Sequence, residues 1–234
     1  MISIIIPVLN EVETIEDLLS HLSESASEKN IAEILVVDGG SQDGTRDAVT
    51  GFSDKSSLNI KCIPSKRGRA KQMNMGASNA LGSILYFLHA DSFPPKNFDL
   101  DITSEIKQGN EAGCFRMKFD NKHPVLVVSQ WFTQFNFKFC RGGDQSLFIT
   151  KELFNNLSGF NEDYTIYEDC EFTNRIYNTT KFKVLSKDIV TSARKYSEKG
   201  TWKLQYHFTI IHLKKWAGAS PDTLYEYYKR HILS

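Results

Sequence analysis

The sequence predicts an α/β protein whose central, mixed and mostly parallel sheet is flanked by helices. Three short apolar runs, at residues 2–6, 34–37 and 84–88, lack polar alternation, which indicates strands buried on both faces. Segments with apolar residues at helical spacing separate these runs, as in a sheet covered by helices. The 234 residues, 41% of them hydrophobic, suffice for a single domain with its own core.

Strand and helix alternate from the first residues onward. The strand at 2–6 ends at Pro7, because proline cannot continue a central ladder. A helix with an acidic first turn follows and runs to about Ser25. The strand at 34–37 ends at Asp38, and a glycine-rich turn comes directly after it.

Basic residues mark the entry to the helix that follows a third strand, at 59–63. Cations at the start of a helix act together with the positive end of the helix dipole, so the sequence predicts an anion site here. A solvated basic surface would carry the same residues and is the alternative. The cations are Lys66, Arg67, Arg69 and Lys71.

The strand at 84–88 is followed by His89, Ala90 and Asp91. Open α/β sheets bind ligands at the carboxyl ends of their strands. A carboxylate at the position of Asp91 is therefore expected to hold a metal ion bound to phosphate groups. An aspartate that only caps the next turn is the alternative.

The second half of the chain contains a strand at 112–119 and an aromatic segment at 125–139, whose rings we expect in the core. A glycine loop, 141–145, precedes a strand at 146–149, and a helix opens at Glu168. Apolar residues then recur at helical spacing, which predicts a helix packed on the domain, with an interfacial helix as the alternative. They are Trp202, Tyr206, Ile210, Leu213 and Trp216.

The cysteine spacing and the lack of long apolar runs indicate the compartment of the protein. The four cysteines show no C-x-x-C spacing, so we expect neither a zinc site nor disulfides, but small core residues in a reducing cytosol. No signal segment opens the chain and no apolar run is long enough to cross a membrane, so we expect a cytoplasmic protein, at most peripheral at the inner membrane face.

The formal net charge of zero hides two ends of opposite sign. Residues 1–60 hold eleven acidic and three basic residues, whereas residues 181–234 hold four acidic and eleven basic residues. The basic end makes an anionic membrane surface a candidate partner, and nothing indicates nucleic-acid binding. The glycine motifs of dehydrogenases and of P-loop enzymes are missing after the first strand, which disfavours both classes.

Motifs in a fixed order resemble those of the family 2 glycosyltransferases, which share the nucleotide-diphospho-sugar transferase fold, a Rossmann-like α/β domain. They span about residues 2–175. They read I-I-I-P-V-L-N-E at 4–11, V-V-D-G-G-S-Q-D-G-T at 36–45, N-x-G at 74–76, A-x-G at 80–82, F-L-H-A-D-S at 87–92, G-F-N-E at 159–162 and E-D at 168–169. A bacterial subgroup of short, stand-alone members is similar in R-G-R-A-K-Q-M-N at 67–74, G-D-Q at 143–145 and T-S-A-R at 191–194.

This resemblance implies a role for each residue that matches a family motif. Asp38 would bind the base or ribose of a nucleotide, Asp91 would bind Mg²⁺ or Mn²⁺, and Asp169 would be the general base. His89 stands where the family usually has a second aspartate, and Met73 where many members have an arginine. The donor site would comprise Pro7, Asn10, Glu11, Asp38, Arg69, Lys71, His89, Ala90 and Asp91, the sugar or acceptor site Gly143, Asp144, Gln145 and Glu168, and the diphosphate contact Arg194.

The function implied is metal-dependent, inverting transfer of a sugar from a nucleotide-diphosphate sugar to an acceptor hydroxyl. The acceptor is open among a small molecule, a glycan and a lipid-linked molecule. Residues 1–92 would form the nucleotide half of a single domain, 93–190 the acceptor and catalytic half, and 191–234 a basic helical tail that contacts a membrane surface or packs on the domain. A nucleotidyltransferase on the same fold and a non-catalytic nucleotide-sugar-binding protein are the alternatives.

Overall fold

The computed structural model describes residues 1–142 and 145–233. Its strands are β1 (Ile2–Val8), β2 (Ile31–Asp38), β3 (Ile60–Pro64), β4 (Ile84–Phe87), β5 (Ser92–Phe93), β6 (Ala112–Phe119), β7 (Leu147–Thr150) and β8 (Phe182–Thr191). Its helices are α1 (Val12–Ser25), α2 (Thr45–Ser53), α3 (Arg69–Asn79), α4 (Phe98–Lys107), α5 (Pro124–Phe132), α6 (Lys151–Asn156), α7 (Glu168–Thr179), α8 (Arg194–Lys199), α9 (Thr201–Trp216) and α10 (Pro221–Tyr228). Lys138–Cys140 is a 3-10 turn and Lys229–Leu233 a π-helical turn.

The strands form one mixed sheet in the order β3-β2-β1-β4-β7-β6-β8-β5. Strands β3, β2, β1 and β4 run parallel to one another, and β6 runs parallel to β8. The antiparallel pairs are β4 with β7, β6 with β7, and β5 with β8. This confirms the predicted fold class. It also brings the carboxyl ends of β1, β2 and β4 to the same edge of the sheet.

Both faces of the sheet are buried, as the uninterrupted apolar runs predict. On one face Ile4, Ile6 and Tyr86 pack with residues of α1, α2 and α4. On the other face Ile5 and Phe87 pack with residues of α3, α6 and α7. Helix α3 lies close to β1. The distance shows this, since a Cβ added at Gly76 would stand only 2.4 Å from Ile5 Cγ2. The absence of a side chain at Gly76 therefore permits the close packing of α3 on β1 and β2.

The cysteines are free thiols, as predicted, but only Cys114 is fully buried. Cys62, Cys140 and Cys170 are half-buried. The expectation that all four are core residues is therefore wrong for Cys140 and Cys170, whereas Cys62 packs against the margin of the core.

The aromatic segment is the main correction to the sequence analysis. Of the nine residues of α5, only Leu126 is buried. Trp131 is 56% exposed, Phe137 54% and Phe139 75%. The prediction that these rings belong to the core is wrong, because Leu126 alone anchors the helix in a small cluster with Phe119.

The position of α9 corrects a second expectation. The helix packs on the domain through Leu204 and Ile211, which meet the buried side chains of Tyr164, Leu224 and Ile232. The residues chosen from the spacing lie mostly on the opposite face, where Trp202 is 71% and Trp216 89% exposed. Both faces of this helix carry apolar residues, so spacing alone does not tell which face meets the core.

Within residues 1–142 and 145–233, no helix is both long enough and apolar enough to cross a bilayer.

Candidate active site

Two loops at the carboxyl edge of the sheet are linked to each other by hydrogen bonds. The backbone N–H of Asn10 donates to Ser41 Oγ at 2.9 Å, and Asn10 Oδ1 accepts from the Gln42 N–H at 2.9 Å. The Glu11 N–H donates to Thr45 Oγ1 at 2.9 Å. Asn10 has a φ of 56°, a left-handed conformation that asparagine adopts more readily than most residues. The loops after β1 and β2 therefore form one preformed wall.

Asp38 lies at the base of this wall, at the end of β2. It is 2% exposed, its Oδ1 accepts from the Ser41 N–H at 3.0 Å, and its Oδ2 lies 3.7 Å from Arg46 Nε. Gln72 of α3 supports the same region, since its amide nitrogen donates to the Val8 and Val37 carbonyls at 2.8 and 2.7 Å. Neither Arg46 nor Gln72 was among the predicted site residues: Arg46 follows the motif at 36–45, and Gln72 lies within the motif at 67–74 but was given no role of its own.

Four residues from three separate segments meet beyond the end of β4. Arg69 Nη1, at the start of α3, lies 3.4 Å from Glu168 Oε1 and 3.7 Å from Asp169 Oδ2. His89 Nε2 lies 4.0 Å from Asp169 Oδ2. The side chain of Glu168 is 3% exposed, whereas that of Asp169 is 18% exposed. Asp169 is therefore the carboxylate that a bound molecule can reach.

Burial and, second, the nearby Asp169 carboxylate raise the pKa of the Glu168 carboxyl from 4.5 to about 7. Arg69 and His89 oppose this rise. Two carboxyl groups this close favour a state in which one of them holds a proton. Glu168 is the more buried of the two, so the site favours its protonated form.

This arrangement predicts a pH-dependent stability. A group whose pKa is higher in the folded than in the unfolded chain stabilises the fold below its unfolded pKa, and that contribution is lost as pH rises through its folded pKa. We expect the free energy of unfolding to fall between about pH 4.5 and pH 7, by at most about 1.4 kcal/mol per pH unit from this group. Glu168→Gln should flatten the slope in denaturant titrations at several pH values.

The matched control is Glu16→Gln, which changes an exposed acid on α1 and should leave the slope unchanged. A Glu168→Gln variant with the full wild-type slope would show that another group carries the pH dependence.

A second set of charges joins the loop after β1 to the start of α8. Arg194, at the start of α8, places Nη2 3.3 Å from Glu11 Oε2, across 183 residues of sequence. Partial burial disfavours its charged form, but the carboxylates of Glu11, Asp91 and Glu198 outweigh this and raise the pKa of Arg194. The half-buried Asp91 is joined to the tail by its carbonyl, which accepts from the Ser192 N–H at 3.1 Å.

The backbone before the two acids is strained. Tyr167 has a φ of 71°, which a bulky residue adopts at a cost of about 1 kcal/mol or more. Its ring lies against the His212 ring of α9, with centroids 5.1 Å apart. Such strain persists where surrounding contacts fix the geometry, and here the C-terminal helices supply one of those contacts.

The glycine loop is only partly described. Gly143 and Asp144 lie outside the described residues. Gln145 is buried, and its amide is used within the loop: Oε1 accepts from Arg141 Nη1 at 2.8 Å, and Nε2 donates to the Cys140 carbonyl at 2.7 Å. The sequence analysis did not select Arg141, which is 4% exposed and organises this loop. The role of Gln145 as a contact for the sugar stays a prediction.

The remaining residues of the predicted site differ in accessibility. Pro7 and Lys71 are half-buried, so parts of both can contact a ligand. Ala90 is 4% exposed and Met73 1% exposed, and both pack in the core. The Met73 side chain is therefore not available to a ligand, whereas Arg69 and Lys71 of the same helix are partly exposed.

Comparisons with known proteins agree with this architecture. The model of the family described as "Glycosyl transferase family 2" matches residues 3–186. The glycosyltransferase AglE of Haloferax volcanii is 38% identical over 94 residues, which cover 40% of this chain and 31% of AglE. The probable glycosyltransferase YdaM of Bacillus subtilis is 28% identical over 199 residues, 76% of this chain and 46% of YdaM. The chain thus spans less than half the length of these two relatives.

A solved structure shares the fold at low sequence identity. It is the mannosyltransferase PcManGT from Pyrobaculum calidifontis in complex with GDP-Man and Mn²⁺. The match has a TM-score of 0.72 at 19% identity and covers 99% of this chain and 68% of that one.

Proposed function

The chain belongs to glycosyl transferase family 2, and from this membership we propose that it transfers a sugar from a nucleotide-diphosphate sugar to an acceptor hydroxyl. The observation that carries the proposal is the meeting of Arg69, His89 and Asp169 at the edge of the sheet where open α/β proteins bind ligands. Among the relatives of this family, we place the chain with the short bacterial members that resemble it in the motifs at 67–74, 143–145 and 191–194.

The donor nucleotide is proposed to bind along the wall formed by the loops after β1 and β2. Asp38 would hydrogen-bond the base or ribose, and the segment from Pro7 to Glu11 would line the base pocket. PcManGT, which shares the fold, binds a nucleotide sugar in its solved structure, and this supports a ligand of the same class here.

A divalent metal ion fits the donor set in part. No cluster of three or more His, Cys, Asp or Glu side chains suited to a metal ion occurs within residues 1–142 and 145–233. Mg²⁺, however, is commonly held by one or two carboxylates together with substrate phosphates and water. Asp91 provides such a carboxylate, and His89 adds a nitrogen that suits Mn²⁺ better than Mg²⁺. A metal ion held there would neutralise charge on the departing diphosphate.

Asp169 is proposed as the general base of an inverting transfer. It would take the proton of the acceptor hydroxyl while that oxygen bonds to the anomeric carbon. The bond from the anomeric carbon to the diphosphate oxygen breaks, and the nucleoside diphosphate leaves with the electron pair. The accessibility of Asp169 and the burial of Glu168 support this assignment.

Two arginines are proposed to contact the diphosphate. Arg69 lies beside the acids at the start of α3, and Arg194 lies near Asp91 at the start of α8. A guanidinium forms paired hydrogen bonds with phosphate oxygens, so these side chains could stabilise the leaving group. Lys71 is the additional cation on the same helix turn as Arg69.

The acceptor side is proposed to lie near Gly143, Asp144, Gln145 and Glu168. We further propose that the protein acts in the cytoplasm and that the basic tail, 191–234, makes a peripheral contact with the inner face of the membrane. Helix α9 supports this contact, because it exposes Trp202, Tyr206, Leu213 and Trp216 along one face and contains no acidic residue.

Nucleotide binding tests the donor assignment. Nucleoside diphosphates should raise the thermal unfolding midpoint, and more so with Mn²⁺ or Mg²⁺, because a ligand that binds only the folded chain stabilises it by mass action. Asp38→Ala should weaken nucleotide affinity about tenfold or more, as the loss of one hydrogen bond to a charged group costs about 1.5–3 kcal/mol. The increase that metal confers should remain.

The control is Asp47→Ala, which removes an exposed carboxylate from α2. Equal affinity of Asp38→Ala and wild type in calorimetry would rule out the base-side role of Asp38. Binding without transfer, with every metal and acceptor tried, would favour the non-catalytic alternative, and release of pyrophosphate from a nucleoside triphosphate would favour the nucleotidyltransferase.

A further inference from the structure

We propose that the exposed face of α5 and of the turn after it docks on an anionic lipid bilayer. Six apolar side chains there are each at least 42% exposed. Exposed apolar patches of this kind usually mark an interaction site. The residues, which we call the aromatic surface, are Val127, Val128, Trp131, Phe132, Phe137 and Phe139.

Ring contacts make this surface continuous. Trp131 lies 5.2 Å from Phe132 and 4.8 Å from Phe135, measured between ring centroids. Phe135 is 6.1 Å from Phe137, which stacks on Phe139 at 5.5 Å. The half-buried Phe135 therefore joins the rings of the helix to those of the turn.

Arg141 supplies hydrogen-bond donors to backbone carbonyls of this segment, which would otherwise need water. Its guanidinium is buried and donates to the carbonyls of Thr133, Phe135 and Phe137. A bilayer interior offers no hydrogen-bond partners, so carbonyls near it need partners from the protein itself. The irregular turn between α5 and β7 gains three such bonds from one side chain.

Charge selects an anionic lipid surface as the occupant. Residues 121–142 contain no Asp or Glu, while Lys122 and Lys138 are exposed. The His123 ring lies 6.2 Å from the Trp202 ring, which brings α9 with its exposed Lys203 next to α5. Aromatic and basic side chains without acids are typical of segments that bind at anionic membrane interfaces. A second copy of the chain docked through the same surface would present like charges to these lysines.

The aromatic surface is also joined to the helix of the proposed base. The Arg141 carbonyl accepts from Cys170 Sγ at 3.5 Å, and Cys170 follows Asp169 directly. Docking would therefore place the acceptor side of the site close to the lipid surface. This last step rests on the proposed sugar transfer, whereas bilayer binding itself does not.

Vesicle co-sedimentation without any donor tests the proposal. The wild-type chain should bind phosphatidylcholine vesicles that contain phosphatidylglycerol more strongly than pure phosphatidylcholine vesicles, and added salt should weaken the binding. Trp131→Ser combined with Phe132→Ser should lower the partition coefficient about tenfold or more, because two exposed apolar side chains no longer enter the interface.

The matched control combines Leu81→Ser with Leu100→Ser, which removes two exposed apolar side chains elsewhere on the protein and should leave binding unchanged. Lys122→Glu is a second variant, on the surface, and should weaken binding to the anionic vesicles alone. No binding by the wild-type chain, or equal binding by the Trp131/Phe132 variant, would overturn the proposal. So would a wild-type dimer in sedimentation velocity that this variant dissociates, since the occupant would then be a second copy.

Discussion

Replacing Asp169 with asparagine is expected to lower sugar transfer by about 10²- to 10⁴-fold while leaving donor affinity nearly unchanged. Asparagine keeps the size of the side chain and much of its hydrogen bonding, but it does not accept the proton of the acceptor hydroxyl. The loss should therefore appear in kcat measured at saturating donor.

The magnitudes separate catalysis from a structural role. A factor of 10²–10⁴ corresponds to about 3–5 kcal/mol of activation free energy. The favourable interaction of an acid with a helix N-terminus is worth about 0.3–1 kcal/mol, and the exposed guanidinium of Arg69 adds at most about 1 kcal/mol. A loss of these stabilising terms would lower the unfolding midpoint slightly and would leave the kcat of the folded enzyme near the wild-type value.

Asp163→Asn is the matched control, because Asp163 is an exposed acid in the loop before α7. It should transfer sugar at the wild-type rate. If Asp169→Asn also retained that rate, the role of Asp169 would be to stabilise the N-terminus of α7. The next variant to assay for loss of the general base would then be Glu168→Gln.

Replacing Asp91 with asparagine is expected to abolish the increase in nucleotide diphosphate affinity that Mn²⁺ or Mg²⁺ confers. An amide oxygen is a weaker ligand for a hard cation than a carboxylate, and it leaves the charge of the ion uncompensated. Metal ions contribute several kcal/mol of charge stabilisation in such reactions, so metal-dependent turnover should fall about 10²-fold or more. Calorimetric titration of a nucleoside diphosphate with and without metal gives the binding part of this result.

For this prediction Asp17→Asn, on the exposed face of α1, serves as the control. Metal that still tightens nucleotide binding to the Asp91→Asn variant would show that the ion is held elsewhere. Loss of nucleotide binding in the absence of metal would instead point to a direct contact between Asp91 and the donor.

The sequence predicted the fold best at the strands that are apolar on both faces, because such strands must be buried on both sides. The runs at 34–37 and 84–88 are apolar throughout, and Ser3 is the one polar residue in the run at 2–6, so burial on both sides followed directly. The aromatic segment misled because aromatic residues are common both in cores and on binding surfaces. Its true position depends on Leu126 being the anchor of α5, which composition does not reveal.

The site was predictable as a set of residues but not as a set of contacts. Asp38 and Asp91 could be selected because each follows a strand. The pairing of Arg69 with Glu168 joins residues 99 apart, and no local pattern encodes it. The burial of Arg141 was not predictable, because arginine usually lies at the surface. The raised pKa of Glu168 likewise depends on burial that only the folded chain creates.

The ion pair between Arg194 and Glu11 links the start of α8 to the wall formed by the loops after β1 and β2. An exposed pair of this kind contributes about 0–1 kcal/mol, so a phosphate group can displace the Glu11 carboxylate at little cost. Arg194 would then exchange one anion for another as the donor enters. This effect is reciprocal. If donor binding changes the equilibrium for the contact between the start of α8 and Glu11 by some factor, that contact changes the affinity for the donor by the same factor.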